Sequence, residues 1–200
     1  MAVHRIIEAR AARYGDSTAI SDPRITLSYR ELNQRANVVA RHLMGHGFKR
    51  GGLATVCLPR SAETAIVLLG ILKAGGTYSL IDADLETTDW PRGVSFVEKS
   101  DGDEVCYRTV DVTPALREPA LSSPNLPIVA RASDLACVIA DRDGSPLVLV
   151  PHATIMSLQE RVVPPLAEWS GEAGALDLWA ALINGATVTL TGGSELRSAA

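Results

Sequence analysis

Aromatic residues and blocks of positive charge are both scarce in this chain of 200 residues. Phe, Trp and Tyr together make up 4% of it, and the net charge is -4 with no run of Lys or Arg. A nucleic-acid-binding surface needs a basic patch, and binding of single strands also needs aromatic side chains on which bases stack. The composition therefore argues against nucleic acid as a partner.

Cysteine is also scarce. Cys57, Cys106 and Cys137 are odd in number and lie far apart. Cys57 and Cys137 stand in apolar, strand-like runs, where a cysteine usually serves as a small buried hydrophobic residue. Neither a disulfide framework nor a zinc site is expected, which is typical of a protein of the reducing cytoplasm.

Long hydrophobic runs are missing. The longest, AIVLLGIL at residues 65–72, is too short to cross a bilayer. The first residues, MAVHRIIEARAARYGD, form a charged amphipathic pattern rather than a signal peptide with an apolar centre. We expect no association with membranes and a cytoplasmic location.

Strand and helix patterns alternate over the first part of the chain. A helix is predicted at residues 3–14, followed by two short strands, TAIS and RITLS. The clearest helix is SYRELNQRANVVARHLMGHG, where Ser28 and Glu31 form a capping box. LATVCLP and TYSLID are predicted strands on either side of SAETAIVLLGILKAGG, a helix that is apolar nearly all round. This order predicts one α/β domain, a mostly parallel doubly wound sheet flanked by helices.

The pattern is weaker further along the chain. EVCYRTVDV is compatible with a strand, and TPALREPALSSPNLP indicates a proline-rich loop. LACVIA, PLVLV and TVTL are predicted strands, while HATIMSLQERV and GALDLWAALINGA are predicted helices. Residues 1–200 are therefore interpreted as a single domain with a regular part (1–82), a loop-rich part (83–131) and a final part (132–192).

Four of these segments resemble a known family. LSYRELNQRANVVARHL and CLPRSAETAIVLLGILKAGGTYSLID are similar to the first two signatures of the adenylation domains of nonribosomal peptide synthetases, members of the superfamily of acyl-CoA synthetases and luciferase. DLACVIA with VPHATI resembles the frame of their phosphate loop, and ALDLWAALINGATVTL resembles a later helix and strand. The resemblance covers most of residues 3–190 and implies the fold of the first subdomain of such a domain. The family's later motifs, including the C-terminal catalytic lysine, have no counterpart, so we expect a truncated domain.

The phosphate loop departs from the family's pattern, which reads approximately Y-T-S-G-S-T-G-x-P-K-G. Between Ile139 and Pro151 the chain has three fewer residues than the family. The residues left at the loop are Asp141, Arg142, Asp143, Gly144, Ser145, Pro146 and Leu147. Leu147 replaces the lysine, Val148 replaces the second glycine, and the serine/threonine run is reduced to Asp141, Arg142 and Asp143.

These replacements disfavour a triphosphate. A carboxylate close to phosphate costs about 1 kcal/mol in water and more where solvent is excluded. Loss of a charged hydrogen bond to phosphate costs a further ~1.5–3 kcal/mol. We therefore expect ATP and magnesium binding to be lost, with no cofactor and no catalytic residue.

A second family feature is also altered. The family places F-D-x-S before its tryptophan helix, whereas this chain reads GEAGALDLWA. Asp177 aligns with the family's aspartate only loosely, because the aromatic residue is missing and the spacing to Trp179 differs. Relative to the family, the chain is also shorter between His152 and Trp179 and after LIDADLE, a pattern that indicates retained folding after lost catalysis. Ser145 has no nucleophile-elbow context, so a hydrolase is not expected.

Two groups of residues have the composition of metal sites. His42 and His46 stand four apart on a helix, a spacing that can hold a metal. Histidines in the last turn of a helix also suit its dipole, and that interpretation is favoured. Asp82, Asp84 and Glu86 have the composition of a magnesium cluster, but the family has a strand-end aspartate at the position of Asp82, so a solvated loop is favoured.

Three functions remain open from the sequence. The favoured one is a non-catalytic adenylation-like domain that acts as a structural or protein-interaction module in nonribosomal peptide biosynthesis. Its partner would be a condensation or carrier domain, or a biosynthetic enzyme acting in trans. The first alternative is one part of a split or partner-assisted ligase that adenylates an amino acid or aryl acid. The second is a small-ligand or nucleotide-binding module without turnover.

Exposed apolar surface is a further expectation. In the family, later sheets cover this region, so a chain without them should leave apolar side chains uncovered. We therefore expect self-association or a stable partner.

Overall fold

The computed structural model describes residues 1–82, 93–101, 104–119, 123–127, 130–139, 148–159, 166–168 and 174–190. The helices are α1 (Val3–Arg13), α2 (Tyr29–Gly45), α3 (Ala62–Lys73), α4 (Thr113–Arg117), α5 (His152–Met156) and α6 (Gly174–Asn184). The strands are β1 (Thr18–Ser21), β2 (Thr26–Ser28), β3 (Leu53–Leu58), β4 (Thr77–Asp82), β5 (Gly93–Asp101), β6 (Glu104–Val110), β7 (Leu135–Ile139), β8 (Val148–Pro151), β9 (Leu166–Glu168) and β10 (Thr187–Thr189).

The strands form two sheets, and each sheet combines parallel and antiparallel pairs. The first has the order β2-β1-β10-β9, and the second has the order β6-β5-β3-β4-β7-β8. In the second sheet β3, β4 and β7 are parallel, whereas β5, β6 and β8 pair antiparallel with their neighbours. The predicted α/β class is confirmed, and parallel pairing in the second sheet is confined to its centre. The pairs β5–β6 and β7–β8 are antiparallel because their connections are too short for a crossover.

Helix α2 begins at the predicted capping box. Glu31 N–H donates to Ser28 Oγ at 3.3 Å, and Ser28 N–H donates to Glu31 Oε2 at 2.8 Å. These two bonds satisfy backbone donors that a helix start leaves unpaired. The helix begins at Tyr29 because its first-turn donors find partners there.

Helix α3 lies between α2 and the second sheet and is buried almost all round, as its apolar sequence predicts. Gly70 permits a close approach to α2, because a Cβ at this position would lie 2.7 Å from Val39 Cγ1. Tyr78 of β4 and Trp179 of α6 are both buried and in contact, and Trp179 Nε1 donates a hydrogen bond to Tyr78 Oη at 2.6 Å. The core therefore joins residues from both ends of the chain.

Several elements differ from the sequence prediction. The strand suspected in EVCYRTVDV is β6, and β5 and β9 had no predicted counterpart. Part of the predicted proline-rich loop forms α4, since Pro114 lies in the first turn, where a proline is compatible with a helix. Helix α5 is shorter than predicted and ends at Met156.

Two further expectations concern cysteines and membranes. Cys57 and Cys137 are buried free thiols, as predicted from their apolar surroundings. None of the helices in the described segments combines the length and apolar character needed to span a bilayer.

Candidate functional site

The candidate site lies at the carboxyl ends of the parallel strands of the second sheet, which we call the sheet edge. Leu58, the last residue of β3, pairs with Asp82, the last residue of β4. Val138 of β7 pairs with Ser79 of β4, so Ile139 ends β7 toward the same edge. Ligands of open α/β sheets bind beyond the carboxyl ends of such strands. The loop that follows Ile139 is therefore the position where the family's phosphate loop belongs.

The two strands and the helix predicted around the loop are present as β7, β8 and α5, while the loop itself, from Asp141 to Leu147, lies outside the described residues. Ile139 pairs directly with Val148, and β7 and β8 continue as an antiparallel hairpin that leads into α5. Residues 140–147 thus begin and end at one pair of the ladder. The loss of ATP and magnesium binding, expected from the residues of this loop, stays a prediction.

His152, the first residue of α5, connects the end of the β7–β8 hairpin to α1. Its side chain is buried, and its Nδ1 accepts a hydrogen bond from Val3 N–H at 3.4 Å. Burial lowers the pKa of His152 to about 4, although the charge of Asp134 acts in the opposite direction. The imidazole is therefore neutral near pH 7 and fastens the start of α5 to α1.

A second helix start at this edge is closed to anions. The free N–H groups of a helix N-terminus commonly bind phosphate. At the start of α3, however, Ala62 N–H donates to Asp22 Oδ2 at 3.0 Å, and Thr64 N–H donates to Ser61 Oγ at 3.2 Å. Asp22 comes from the turn between β1 and β2 and also accepts from Arg24 N–H. A carboxylate therefore occupies the place that an anionic ligand would take.

A cavity of about 240 Å³ lies beside this helix start. Its polar lining comes from two carboxylates and three hydroxyls: Glu63, Asp111, Ser61, Thr64 and Thr113. Asp111 caps the start of α4 by accepting from Thr113 N–H at 2.9 Å. The cavity is smaller than ordinary ligand pockets, and its charge disfavours a phosphate.

Asp177 and Trp179 lie on different sides of α6. Trp179 is fully buried against Tyr78, whereas Asp177 in the first turn is exposed. Two residues along an α-helix correspond to a rotation of roughly 200°, which explains the difference. The carboxylate of Asp177 is thus directed away from the core-facing side of the helix.

The two candidate metal groups differ in what the structure describes. His42 Nε2 donates to the Asp111 carbonyl at 2.9 Å, and His46 Nδ1 donates to the His42 carbonyl at 2.8 Å. These bonds favour the structural interpretation of both histidines. Asp82 is the last residue of β4, in line with its interpretation as a strand-end residue, while Asp84 and Glu86 lie outside the described residues. In the segments that the structure describes, no three His, Cys, Asp or Glu side chains are grouped as metal ligands.

A buried polar cluster was missed from the sequence. Lys73 Nζ donates to Glu8 Oε1 at 2.6 Å and to Asn125 Oδ1 at 3.3 Å. Asn33 and Asn37 also donate to Asn125 Oδ1, at 2.9 and 3.2 Å. The cluster ties α1, α2 and α3 to the segment at residues 123–127. A lysine at the end of a helix that is apolar all round was the signal for it.

Burial and pairing act in opposite directions on the charges of this cluster. Burial lowers the pKa of Lys73 to about 8, although the hydrogen bond to Glu8 raises it. Burial acts to raise the pKa of Glu8, but the hydrogen bonds from Lys73 and Arg5 outweigh it, so the pKa of Glu8 is lowered. Both groups are therefore charged near pH 7, and each depends on the other.

Comparisons of sequence find similarity to an AMP-binding family model and to peptide synthetases. Residues 7–96 match the family model described as AMP-binding enzyme. Bacitracin synthase 1 of Bacillus licheniformis is 32% identical over 213 aligned positions, which cover 94% of this chain and 4% of that protein. Surfactin synthase subunit 2 of Bacillus subtilis is 32% identical over 214 positions, covering 94% of this chain and 6% of that protein.

These alignments also bear on the length of the chain. Both are longer than the 200 residues of the chain, so each relative carries residues within this region that the chain lacks. The chain spans less than a tenth of either relative.

Comparison of structures gives the same fold. The N-terminal subdomain of NpsA from Klebsiella oxytoca, solved in complex with 3-hydroxyanthranilyl-AMSN, is similar with a TM-score of 0.73 at 19% identity. The match covers 95% of this chain and 53% of that chain. At this identity the likeness concerns the fold alone.

Proposed function

The chain belongs with the adenylation domains of nonribosomal peptide synthetases, whose N-terminal part it resembles in sequence and fold, and from this premise we propose that it is a non-catalytic module of nonribosomal peptide biosynthesis. Its role is structural or protein-interacting, and it does not itself activate an amino acid.

The chemistry of the loop at residues 140–147 carries the proposal. Leu147 takes the position of the family's lysine, and Asp141 and Asp143 add negative charge. The loop follows the last residue of β7, so its residue types decide which charges the chain carries at this position in the sequence. Repulsion and lost hydrogen bonds together amount to several kcal/mol, or several powers of ten in affinity.

The surroundings of the loop support the same conclusion. Asp22 caps the start of α3, and Glu63 and Asp111 line the neighbouring cavity. Negative charge at this edge of the sheet raises the free energy of a bound triphosphate further. The buried Tyr78–Trp179 contact and the capping box of α2 are retained meanwhile, which favours a module kept for its folded surface.

The proposed partners are those of the family, and the proposed location rests on the cysteines. We propose that the module positions a condensation or carrier domain, or a biosynthetic enzyme acting in trans. We also place it in the cytoplasm, because the buried free thiols of Cys57 and Cys137 fit a reducing compartment.

Titration calorimetry with ATP and magnesium tests whether the chain binds the nucleotide. We expect no binding by the natural chain at micromolar nucleotide. The variant Asp143→Thr/Leu147→Lys restores the hydroxyl and the ammonium of the family's loop, and we expect it to gain at least tenfold in affinity. Leu149→Lys adds the same charge two residues away, on an exposed position of β8, and serves as the matched control.

Two outcomes would contradict the proposal. One is a micromolar dissociation constant for the natural chain. The other is an equal gain from Leu149→Lys, which would assign any effect to net charge rather than to the loop.

A split enzyme is the second candidate, because the fold of the N-terminal subdomain is retained over 95% of the chain. A second chain would then supply the missing residues and complete an adenylating ligase for an amino acid or aryl acid. ATP–pyrophosphate exchange with candidate partner chains distinguishes the two functions. Exchange that depends on both chains would favour the split enzyme.

A further inference from the structure

Two buried histidines meet where α1 packs on α5. His4 and His152 are each 1% exposed, and their ring centroids lie 6.0 Å apart at an interplanar angle of 78°. We propose that this pair is an acid-sensitive latch that fastens α1 to the start of α5 and releases α1 when the imidazoles take up protons.

The hydrogen bonds around the pair require neutral rings. Among the residues that the structure describes, neither nitrogen of His4 has a hydrogen-bond partner, and Nδ1 of His152 accepts from Val3 N–H. An imidazolium carries N–H donors on both nitrogens. Protonated His152 would direct a donor at the Val3 donor, and protonated His4 would hold a buried charge without a partner. Either event breaks the contact between the two helices.

The charges around His4 come from three elements. Arg5 and Glu8 lie on α1, Lys73 lies on α3, and His152 lies on α5. Glu8 favours a proton on His4, but its oxygens already accept from Lys73 and Arg5. Burial is the largest influence and lowers the pKa of His4 to about 4.

The other helices packed on α1 add no balancing charge to the pair. Helix α2 contributes the amides of Asn33 and Asn37 to the adjoining Lys73 cluster, and the buried residues described for α6 are uncharged. On the side of His152, Asp134 favours the proton and the N-terminal ammonium opposes it. Both histidines are therefore neutral near pH 7 while α1 is docked.

The direction of the pH effect follows from these values. An unfolded histidine binds its proton near pH 6.5, whereas docked His4 and His152 bind theirs near pH 4. Between these limits the released state holds more protons than the docked state, so acid shifts the equilibrium toward release. The latch is fully closed above about pH 6.5, and each histidine weakens it roughly 100-fold by pH 4.

Helix α1 can detach with both sheets intact, although its release also breaks the Lys73–Glu8 ion pair and the hydrogen bonds from Arg10 to the Ile183 carbonyl. It is joined to β1 by residues 14–17, and its release breaks no pair of either sheet. Its buried face of Val3, Ile6, Ile7 and Ala11 would be uncovered in the process. Opening thus exposes an apolar groove between α2 and α6 without unfolding the sheets.

Amide hydrogen exchange followed by mass spectrometry tests the latch on the whole chain. Protection of α1 is compared with that of α3 from about pH 7 to about pH 4.5, after correction for the intrinsic pH dependence of exchange. We expect protection of α1 to fall at least tenfold more than that of α3 over this range.

Three variants assign the effect to the pair. His152→Asn keeps an acceptor for Val3 N–H but cannot titrate, and His4→Leu keeps an apolar side chain of similar size. Each should reduce the acid loss of α1 protection at least threefold, and the double variant should abolish it. His46→Asn removes an exposed histidine just after the end of α2 and should behave as the natural chain.

The latch is overturned if α1 and α3 lose protection together at the same pH, since acid would then unfold the whole chain. It is equally overturned if His152→Asn retains the full acid loss. Should His4→Leu not fold, the single variant His152→Asn decides the question.

Discussion

Lys73 and Glu8 are charged side chains within the core, 1% and 7% exposed, and their contact of 2.6 Å joins α3 to α1. Breaking a buried ion pair by removing one partner leaves the other charge without compensation. We expect Lys73→Met to lower the free energy of unfolding by about 3 kcal/mol, measured by urea denaturation. Arg5, which also donates to Glu8, limits the loss.

A second variant isolates the pair. Lys73→Met/Glu8→Gln removes both charges, and we expect it to be more stable than Lys73→Met alone. A double variant whose loss equals the sum of the two single losses would show that the contact contributes nothing beyond its separate residues.

The surroundings of single residues were predictable from the sequence where they depend on burial or on neighbouring residues alone. Cys57 and Cys137 stood in apolar runs and are buried, and the capping box at Ser28 and Glu31 is a local pattern. The partners of Lys73 were not predictable, because they lie 65 and 52 residues away. Periodicity indicates which face of a helix is buried but not which polar group it meets there.

Gly70 and Gly45 give a matched pair of substitutions at the scale of helices. A Cβ at Gly70 would lie 2.7 Å from Val39 Cγ1 and 3.2 Å from the Ala36 carbonyl, whereas a Cβ at Gly45 meets nothing within 4 Å. We expect Gly70→Ala to lose about 1–3 kcal/mol of stability through overpacking of α2 against α3. Gly45→Ala should be neutral or gain up to about 1 kcal/mol from helix propensity.

Thermal unfolding of both variants measures the difference. A gain in stability for Gly70→Ala would show that α2 and α3 move apart easily, in conflict with the tight contact described here.

Helices and strands were predictable where their pattern was long and their ends were marked. The predictions for TAIS and TYSLID coincide with β1 and β4, α2 was located by its capping box, and α3 by its continuous apolar sequence. Strand β5 was missed because its sequence becomes charged after Val97, and its pairing with β3 spans a long stretch of chain. The two-sheet division depends on such long-range pairs, so local patterns did not indicate it.

At the scale of the whole molecule, an edge strand of the second sheet exposes apolar side chains. Val148 and Leu149, consecutive residues of edge strand β8, are 55% and 57% exposed. Edge strands of this kind are prone to pair with other chains. We expect the isolated chain to self-associate as its concentration rises, which light scattering measures.

Leu149→Lys tests the contribution of this edge. We expect it to reduce the self-association, because a charge on an edge strand opposes pairing. A chain that stays monomeric at high concentration would contradict the expectation. So would association that Leu149→Lys leaves unchanged.

The segments on either side of the candidate loop were predictable from the sequence. The anchors Ile139 and Pro151 were located on either side of the loop, and the structure places them at the ends of β7 and β8. The role of Asp22 at the start of α3 and the contact of His152 with α1 were not foreseen. Both connect residues distant in sequence, and only the fold brings them together.

The Ile139–Val148 pair has a consequence for the history of this protein. A segment that leaves and re-enters a sheet at one rung works as a replaceable cassette: its length and residues can change while the ladder on either side keeps its register. Selection on nucleotide chemistry and selection on folding therefore act on separate parts of the chain. A change confined to this segment can therefore alter its chemistry and leave the β7–β8 pairing in place, which makes the segment a suitable place for loop exchange in the laboratory.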